Sequence, residues 1–415
     1  MNILLYTANY APEPTGIGKY SGEMTAWLAA QGHAVRVVCA VPYYPAWRVW
    51  PGYRWPPYRR ETIAGVSVWR APLWVPARPG GLSRVLHLLS FALSSLPLMV
   101  RQVFWRPDVV MTVAPAFVCA PAGWLCARLC GAAAWLHVQD FEIDVAFRMG
   151  LLKGQRTKRA VLAAECWMLR RFDRVSSISQ RMHARLLEKG VAASRARMLP
   201  NWVDIDRVRP LQQPSAYRAE LGISPSAVVA LFSGTLGPKQ ALMQIPAAAR
   251  LLQARRPDVV FVVCGDGVMK PALEAAAAGL GNLRLLPLQP VERLAELLGL
   301  ADIHLLTQSS DAEDLVLPSK LSGMLASGRP VVATCRPLTE IASVIEACGL
   351  VVAPEDAVAL ADAIEALAAD PTRRAALGRQ ARVVAETSMS ARSVLAMLVL
   401  DLEQTLAEPQ VEPAQ

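Results

Sequence analysis

At 415 residues, 53% hydrophobic and 19% charged, the chain is long enough for two domains of about 200 residues each and too apolar to be disordered. Its net charge of +9 is unevenly divided: residues 1–200 hold 25 Lys/Arg against 10 Asp/Glu, a net of +15, and residues 201–415 hold 18 against 24, a net of −6. A basic half points to an anionic partner, a membrane surface or a phosphorylated substrate, while the lack of an RNA-binding signature or zinc finger argues against nucleic acid. Eight cysteines are scattered without a CxxC pair, which predicts free thiols in a reducing cytosol. The opening MNILLYTANYAPEP reads as a first strand and not as a signal peptide.

In chain order, Ile3–Tyr6 is a short apolar strand. A loop with Gly16 and Gly18 follows, then a helix ending near Gly32 and a strand Val35–Ala40. This is the first βα unit of a doubly wound domain, and the paired glycines permit close backbone approach to a ligand or serve an ordinary turn. The spacing Gly16-x-Gly18-x-x-x-Gly22 is not the dinucleotide fingerprint, and no acidic residue ends the second strand. Residues 42–60 are rich in Pro, aromatics and Arg. Their Tyr43, Tyr44, Trp47 and Trp55 could stack on a sugar, sit at a membrane interface or simply pin the loop.

Residues 84–104 hold an uncharged run, Val85–Val100, interrupted by Pro97 and flanked by Arg78, Arg84, Arg101 and Arg106. That is short for a spanning helix; it suits a helix lying at the headgroup level or one buried in the domain. Strand Asp108–Val113, helix Ala120–Leu129 and strand Ala132–Val138 come next. His137 and Asp140 lie at the carboxyl end of that last strand, where open α/β sheets bind ligands, and are candidates to face an acceptor. A basic helical stretch Lys153–Arg174, a strand Arg174–Ile178 and a helix capped by Ser179 lead to Pro200-Asn201-Trp202-Val203-Asp204, which closes the first domain.

The second half repeats the alternation. Strands are expected at Val228–Ser233, Val259–Cys264, Leu283–Leu286, Ile303–Leu306, Val331–Thr334 and Leu350–Val352, with helices between. Such short apolar runs suit a parallel sheet covered on both faces. Three turns carry Gly, Ser or Lys at strand ends: Gly234 to Lys239, Gly265 to Gly267, and Pro318-Ser319-Lys320. Ser319, Lys320 and Leu321 open a short helix running to Ser327, stopped by Gly328. A helix start offers unpaired N–H groups and Lys320 adds a charge, so the three turns together outline a seat for a nucleoside diphosphate. Helices at about 357–369, 372–386 and 390–406 and a frayed tail complete the chain. The domains are expected at 1–205 and 206–388, with 389–407 a helix packing back near the first domain and 408–415 a disordered tail.

Two such domains, one with a glycine loop and one with a diphosphate seat, resemble the GT-B layout: two Rossmann-like doubly wound α/β domains facing across a cleft. Asn9-Tyr10-x-Pro12-Glu13-x-Thr15-Gly16-Ile17-Gly18-Lys19-Tyr20, Pro42-Tyr43-Tyr44-Pro45, Pro200-Asn201-Trp202-Val203-Asp204 and Leu317-Pro318-Ser319-Lys320 resemble glycosyltransferase family 4, and within it the colanic acid biosynthesis glycosyltransferases of the WcaI type. The resemblance covers essentially the whole chain. It implies retaining transfer of a sugar from a nucleoside diphosphate sugar, GDP-fucose above others, to a polyprenyl-diphosphate-linked acceptor. It implies no metal and no cofactor besides the donor, and a cytoplasmic protein peripheral on the inner face of the cytoplasmic membrane, whose anionic surface meets the basic half. By position, Lys239 would neutralise the diphosphate leaving group. Gly16, Gly18, Gly234, Gly265, Gly267, Ser319, Lys320 and Leu321 would contact the donor, and His137 or Asp140 would orient the acceptor.

Two departures stand out. The family commonly carries two glutamates eight positions apart, and the equivalent positions are Leu315 and Gly323, with Asp311, Glu313 and Asp314 close to the first. The usual Gly-Arg of the 234 turn is Gly234-Thr235, which leaves Lys239 as the principal cation. Two rivals remain at this stage. One is a sugar-nucleotide epimerase of the same fold, using Asp140, Glu142 or Asp144. The other is a non-catalytic membrane-associated assembly protein.

Overall fold

A computed structural model describes residues 1–408 apart from 15, 78–79, 115–116, 142–154 and 311–317. The chain divides into two compact units, Met1–Pro200 with Leu395–Gln415, and Asn201–Val394. The remaining sequence candidates Glu142, Asp144, Asp311, Glu313, Asp314 and Leu315 lie outside the described residues.

The first unit is built on strands β1 (Asn2–Thr7), β2 (Ala34–Ala40), β3 (Arg59–Ile63), β4 (Val66–Ala71), β5 (Val109–Ala114), β6 (Ala133–Val138), β7 (Arg174–Ser177) and β8 (Ala196–Met198). Their order in the sheet is β3-β4-β2-β1-β5-β6-β7-β8. All neighbours are parallel except the β3–β4 hairpin. Every residue of β5 and β6 is buried, as a parallel sheet covered on both faces requires. The hairpin is a difference from the sequence reading, which named no strand between Ala40 and Asp108. Its edge strand RRETI is half exposed throughout and so carries charges that mask the strand pattern.

The second unit is built on β9 (Val228–Ser233), β10 (Val259–Cys264), β11 (Leu283–Leu286), β12 (Ile303–Thr307), β13 (Val331–Thr334) and β14 (Gly349–Val352). The order is β11-β10-β9-β12-β13-β14, with all pairs parallel. Helices cover both faces. Phe232, Phe261, Ile245 and Leu252 pack in one layer, and Leu306, Leu321, Met324 and Ile341 in another. Asp356 and Asp370 begin the helices Ala357–Ala369 and Pro371–Ser388 by accepting the N–H groups of Ala359 and Arg373, each at 2.8 Å.

Strand order reverses between β1 and β5 in the first sheet and between β9 and β12 in the second. Chain leaving the carboxyl ends of such neighbours diverges to opposite faces and opens a crevice there, which is where doubly wound sheets take ligands.

Candidate active site

In the second unit, the turns that follow β9, β10 and β12 meet at this crevice. Gly234 N–H donates to the Cys264 carbonyl at 3.0 Å, Leu236 N–H to Asp266 O at 2.9 Å, and Met269 N–H to Leu236 O at 2.9 Å. The glycines follow from this interlocking. A Cβ on Gly265 would lie 1.9 Å from the Gly234 oxygen, and one on Gly267 2.5 Å from the Leu236 oxygen. These two glycines therefore serve the approach of the neighbouring turn.

Lys239 sits in the turn Pro238–Gln240 with its side chain exposed and without an acidic partner among the described residues. Its carbonyl accepts the Ser309 N–H at 2.9 Å, which ties the turn after β9 to the turn after β12 across the crevice. Ser310 is held in turn by Glu355, with N–H and Oγ donating to its carboxylate at 3.1 and 2.9 Å. Thr334, at the end of β13, accepts from Gln244 Nε2 at 3.1 Å and from Gln308 N–H at 3.0 Å. The sequence reading missed both Glu355 and Thr334, since neither lies in a Gly- or Lys-bearing turn.

The helix expected at Lys320–Ser327 runs Lys320–Ala326 with Ser319 at its start. Ser319 itself is exposed. The Leu321 N–H is already taken by the Pro318 carbonyl at 2.9 Å, so it is not the free donor the sequence led us to expect. What this segment does present is the Lys320 ammonium. The residue is partly exposed as a whole, but Nζ is sealed from solvent and has no hydrogen-bond partner among the described residues. It lies 3.9 Å from the centre of the Phe232 ring and beneath Gly234, where a Cβ would touch its Cδ at 3.3 Å. Burial brings its pKa down to about 7. At the position of the missing second glutamate, a Cβ on Gly323 would meet Leu298 Cδ1 at 3.2 Å.

In the first unit, Gly16 opens the helix Gly16–Ala30 at φ 59°, with open space where a Cβ would be. Gly18 is required by Glu13, whose Cβ lies 2.7 Å from where a Gly18 Cβ would stand. Glu13 is 2% exposed. Its Oε1 accepts the Tyr43 and Tyr44 N–H groups, both at 2.9 Å, and its Oε2 accepts Asn9 Nδ2 at 2.9 Å. Burial raises its carboxyl above the ordinary range. One carboxylate thus joins the loop after β1 to the loop after β2. Arg70 braces the same loops from below, donating to Ala11 O at 2.5 Å and Ala40 O at 3.0 Å and pairing with Glu61.

His137 corrects the sequence reading. It lies inside β6, 3% exposed, with Nδ1 2.9 Å from Ser176 Oγ and Nε2 2.9 Å from Gln139 Nε2. Burial pushes its pKa down to about 3, so it is a neutral interior group and not one facing an acceptor. Asp140 is half-buried just past the strand, beside Phe141 and Glu165, the latter paired with Lys189 in the interior.

Comparison with known proteins gives this arrangement a family. Residues 15–202 match a glycosyl transferase 4-like domain, and 227–370 match the glycosyl transferases group 1. The Escherichia coli (strain K12) glycosyl transferase WcaI, named for colanic acid biosynthesis, is 40% identical over 413 residues, spanning 97% of this chain and all of the relative. The chain belongs to that glycosyltransferase family. Its fold is GT-B. Sucrose-phosphate synthase from Thermosynechococcus elongatus superposes with a TM-score of 0.74 at 16% identity, over 98% of this chain and 99% of the other. HepE of Anabaena, solved with UDP-glucose, superposes at 0.68 and 16% identity, over 97% and 100%. Lys239 lies in the turn after β9 and Lys320 at the start of the helix that follows β12.

Proposed function

We propose that this glycosyltransferase transfers a sugar, with retention and without a metal, from a nucleoside diphosphate sugar to a lipid-linked saccharide in the synthesis of a colanic-acid-like exopolysaccharide. GDP-fucose is the preferred donor in this reading. The acceptor is carried on a polyprenyl diphosphate, and the enzyme works from the cytoplasm, peripheral on the anionic inner face of the membrane. The observation that carries the reading is the whole-length similarity to WcaI together with a cation, Lys239, at the switch point of the second sheet.

The chemistry follows from charge. Breaking the bond between the sugar and the diphosphate places negative charge on the departing oxygen, and a fixed cation there stabilises the transition state more than the ground state. Lys239 supplies it from a turn anchored to Ser309. The leaving phosphate accepts the acceptor's proton on the same face, so transfer needs positioning and charge stabilisation and no carboxylate nucleophile. In the first unit, Gly16 and the loop that Glu13 anchors offer an open approach for the substrate's polar groups.

The test is incubation with GDP-, UDP-, ADP- and dTDP-sugars, with and without a polyprenyl-diphosphate saccharide. Sugar transferred to the lipid from one donor class supports the reading. A donor whose sugar changes configuration without acceptor makes the protein an epimerase, and binding to lipid without any nucleotide binding makes it an assembly protein.

A further inference from the structure

Strand β4 turns Ser67 and Trp69, two residues apart, to the same face of the first sheet. Trp69 stands opposite Arg60 of β3, and Ser67 is level with Arg36 of β2, so two arginines flank the tryptophan on its own face. The helix Gly81–Val103 packs on β2 and β4 and brings Arg101, in its last turn, to the same place. The guanidinium carbons of Arg60, Arg101 and Arg36 lie 4.8, 5.1 and 6.0 Å from the centre of the Trp69 ring. Arg36 also stacks on Trp105 at 4.3 Å and donates to Gln102 Oε1 at 3.3 Å.

Cation–π contact accounts for part of this gathering but does not balance its charge. None of the three arginines forms an ion pair among the described residues. Glu61, the next residue of β3 after Arg60, alternates to the other face and pairs with Arg70 there. Burial, and after it the nearby Arg60 and Arg101, push the Arg36 guanidinium below its ordinary range, so the three charges repel one another. Two hydrogen-bonding groups of the same face are unsatisfied as well. Trp69 is 8% exposed, and its Nε1 and the Ser67 Oγ are sealed from solvent without a partner among the described residues. Buried polar groups ordinarily have one.

Three cations, an indole N–H and a hydroxyl thus lack one and the same thing, a compact anion with several acceptor oxygens. Arginine forks match the tetrahedral oxygens of a phosphate, which also brings more charge than a carboxylate. We infer that this face is a binding site for a small phosphate anion, a diphosphate or a compact phosphate ester, held by Arg36, Arg60 and Arg101. It lies on the helix-covered face of the first sheet, whereas the crevice opens at the carboxyl ends of the strands. The anion ties the end of the helix to β2 and β3. That helix also holds the loops before β3 and after β4, through Tyr58 Oη donating to Ser94 O and Trp74 N–H to Ser90 Oγ, both at 2.8 Å, so occupancy braces these loops.

The test is calorimetric titration of the full chain with inorganic diphosphate at fixed ionic strength. Lys239→Ala is the parent, which keeps the proposed nucleotide seat out of the comparison. Arg60→Gln with Arg101→Gln, added to that parent, is expected to weaken diphosphate binding by about tenfold or more, since a charge-assisted hydrogen bond is worth about that factor. Both side chains are exposed, so the variant should fold, and with two repelling charges gone its ligand-free unfolding midpoint should be no lower than the parent's. The Trp69 indole N–H resonance, assigned by its absence in Trp69→Phe, is expected to shift as diphosphate is added. Equal diphosphate affinity in parent and arginine variant overturns the inference, as does an unmoved Trp69 resonance. A parent that binds no diphosphate overturns it too, and if that parent binds phosphatidylglycerol vesicles that the arginine variant does not, the cluster belongs to a lipid surface instead.

Discussion

The Lys320 ammonium lies 3.9 Å from the centre of the Phe232 ring, sealed from solvent. A buried cation with no anion beside it is costly, and its lowered pKa expresses that cost. The folded pKa, about 7, lies below the ordinary lysine value of 10.5. Between these values only the unfolded chain holds the proton, so this group makes stability rise with pH across that window and fall to a floor below pH 7. Lys320→Met keeps the stem and removes the charge. It is expected to raise stability at pH 7 by roughly 2 kcal/mol or more and to weaken nucleoside diphosphate binding. Denaturant unfolding and calorimetric titration of one sample read both signs. A variant that is less stable and binds unchanged makes Lys320 a packing residue.

Glu13 predicts a cost of a different origin. Glu13→Ala leaves the Tyr43 and Tyr44 N–H groups and the Asn9 amide without their acceptor. Orphaned buried donors cost about 1–3 kcal/mol each, so the expected loss is roughly 2–4 kcal/mol, read by urea unfolding. Glu13→Gln retains an acceptor oxygen for the two tyrosine amides and should lose less than half of that.

The glycines separate by what a methyl group would meet. Gly265→Ala drives a Cβ to 1.9 Å from the Gly234 oxygen, and the expected destabilisation exceeds about 3 kcal/mol. Gly16→Ala meets open space at φ 59°, so the cost is the left-handed conformation alone, about 1 kcal/mol. Thermal unfolding of the pair checks the order. Loss of transfer in Gly16→Ala at near-normal stability would mean substrate passes close to that backbone.

Two of the three buried histidines set an acid limit. His137 and His304 are fully buried and held neutral, each with its pKa brought down to about 3. Below about 6.5 the unfolded chain protonates them and the folded chain does not, so stability falls with pH, each contributing up to about 1.4 kcal/mol per unit between 6.5 and 3. Urea midpoints at pH 7 and pH 5 are expected to differ accordingly. His137→Gln should remove about half of the slope these two groups cause.

The sheets were legible in the sequence because a fully buried parallel strand is a bare apolar run, as at Val228–Ser233 and Val259–Cys264. The helix starts were legible where a side chain caps them, as Ser179 does by accepting the Met182 N–H. Hidden were the groups whose character depends on burial. Glu13 and Arg70 look in the sequence like surface charges, yet one is 2% and the other 0% exposed, Arg70 in the interior strand β4. His137 sits one residue inside β6, and that single step separates a residue at the ligand edge from one in the core. The glycines at 265 and 267 were singled out as donor contacts; what the structure brings close to them is the backbone of the neighbouring turn.

The proposed seat for a nucleoside diphosphate against Lys239 in the second unit is tested most directly by thermal-shift titration of wild type and Lys239→Ala with GDP, UDP, ADP and dTDP. Lys239 is exposed, so the variant should unfold like the wild type in the absence of ligand. One nucleotide at 100 times its Kd should stabilise the wild type by about 2.7 kcal/mol and the variant far less. No shift with any of the four, or the same shift in both proteins, would contradict the account.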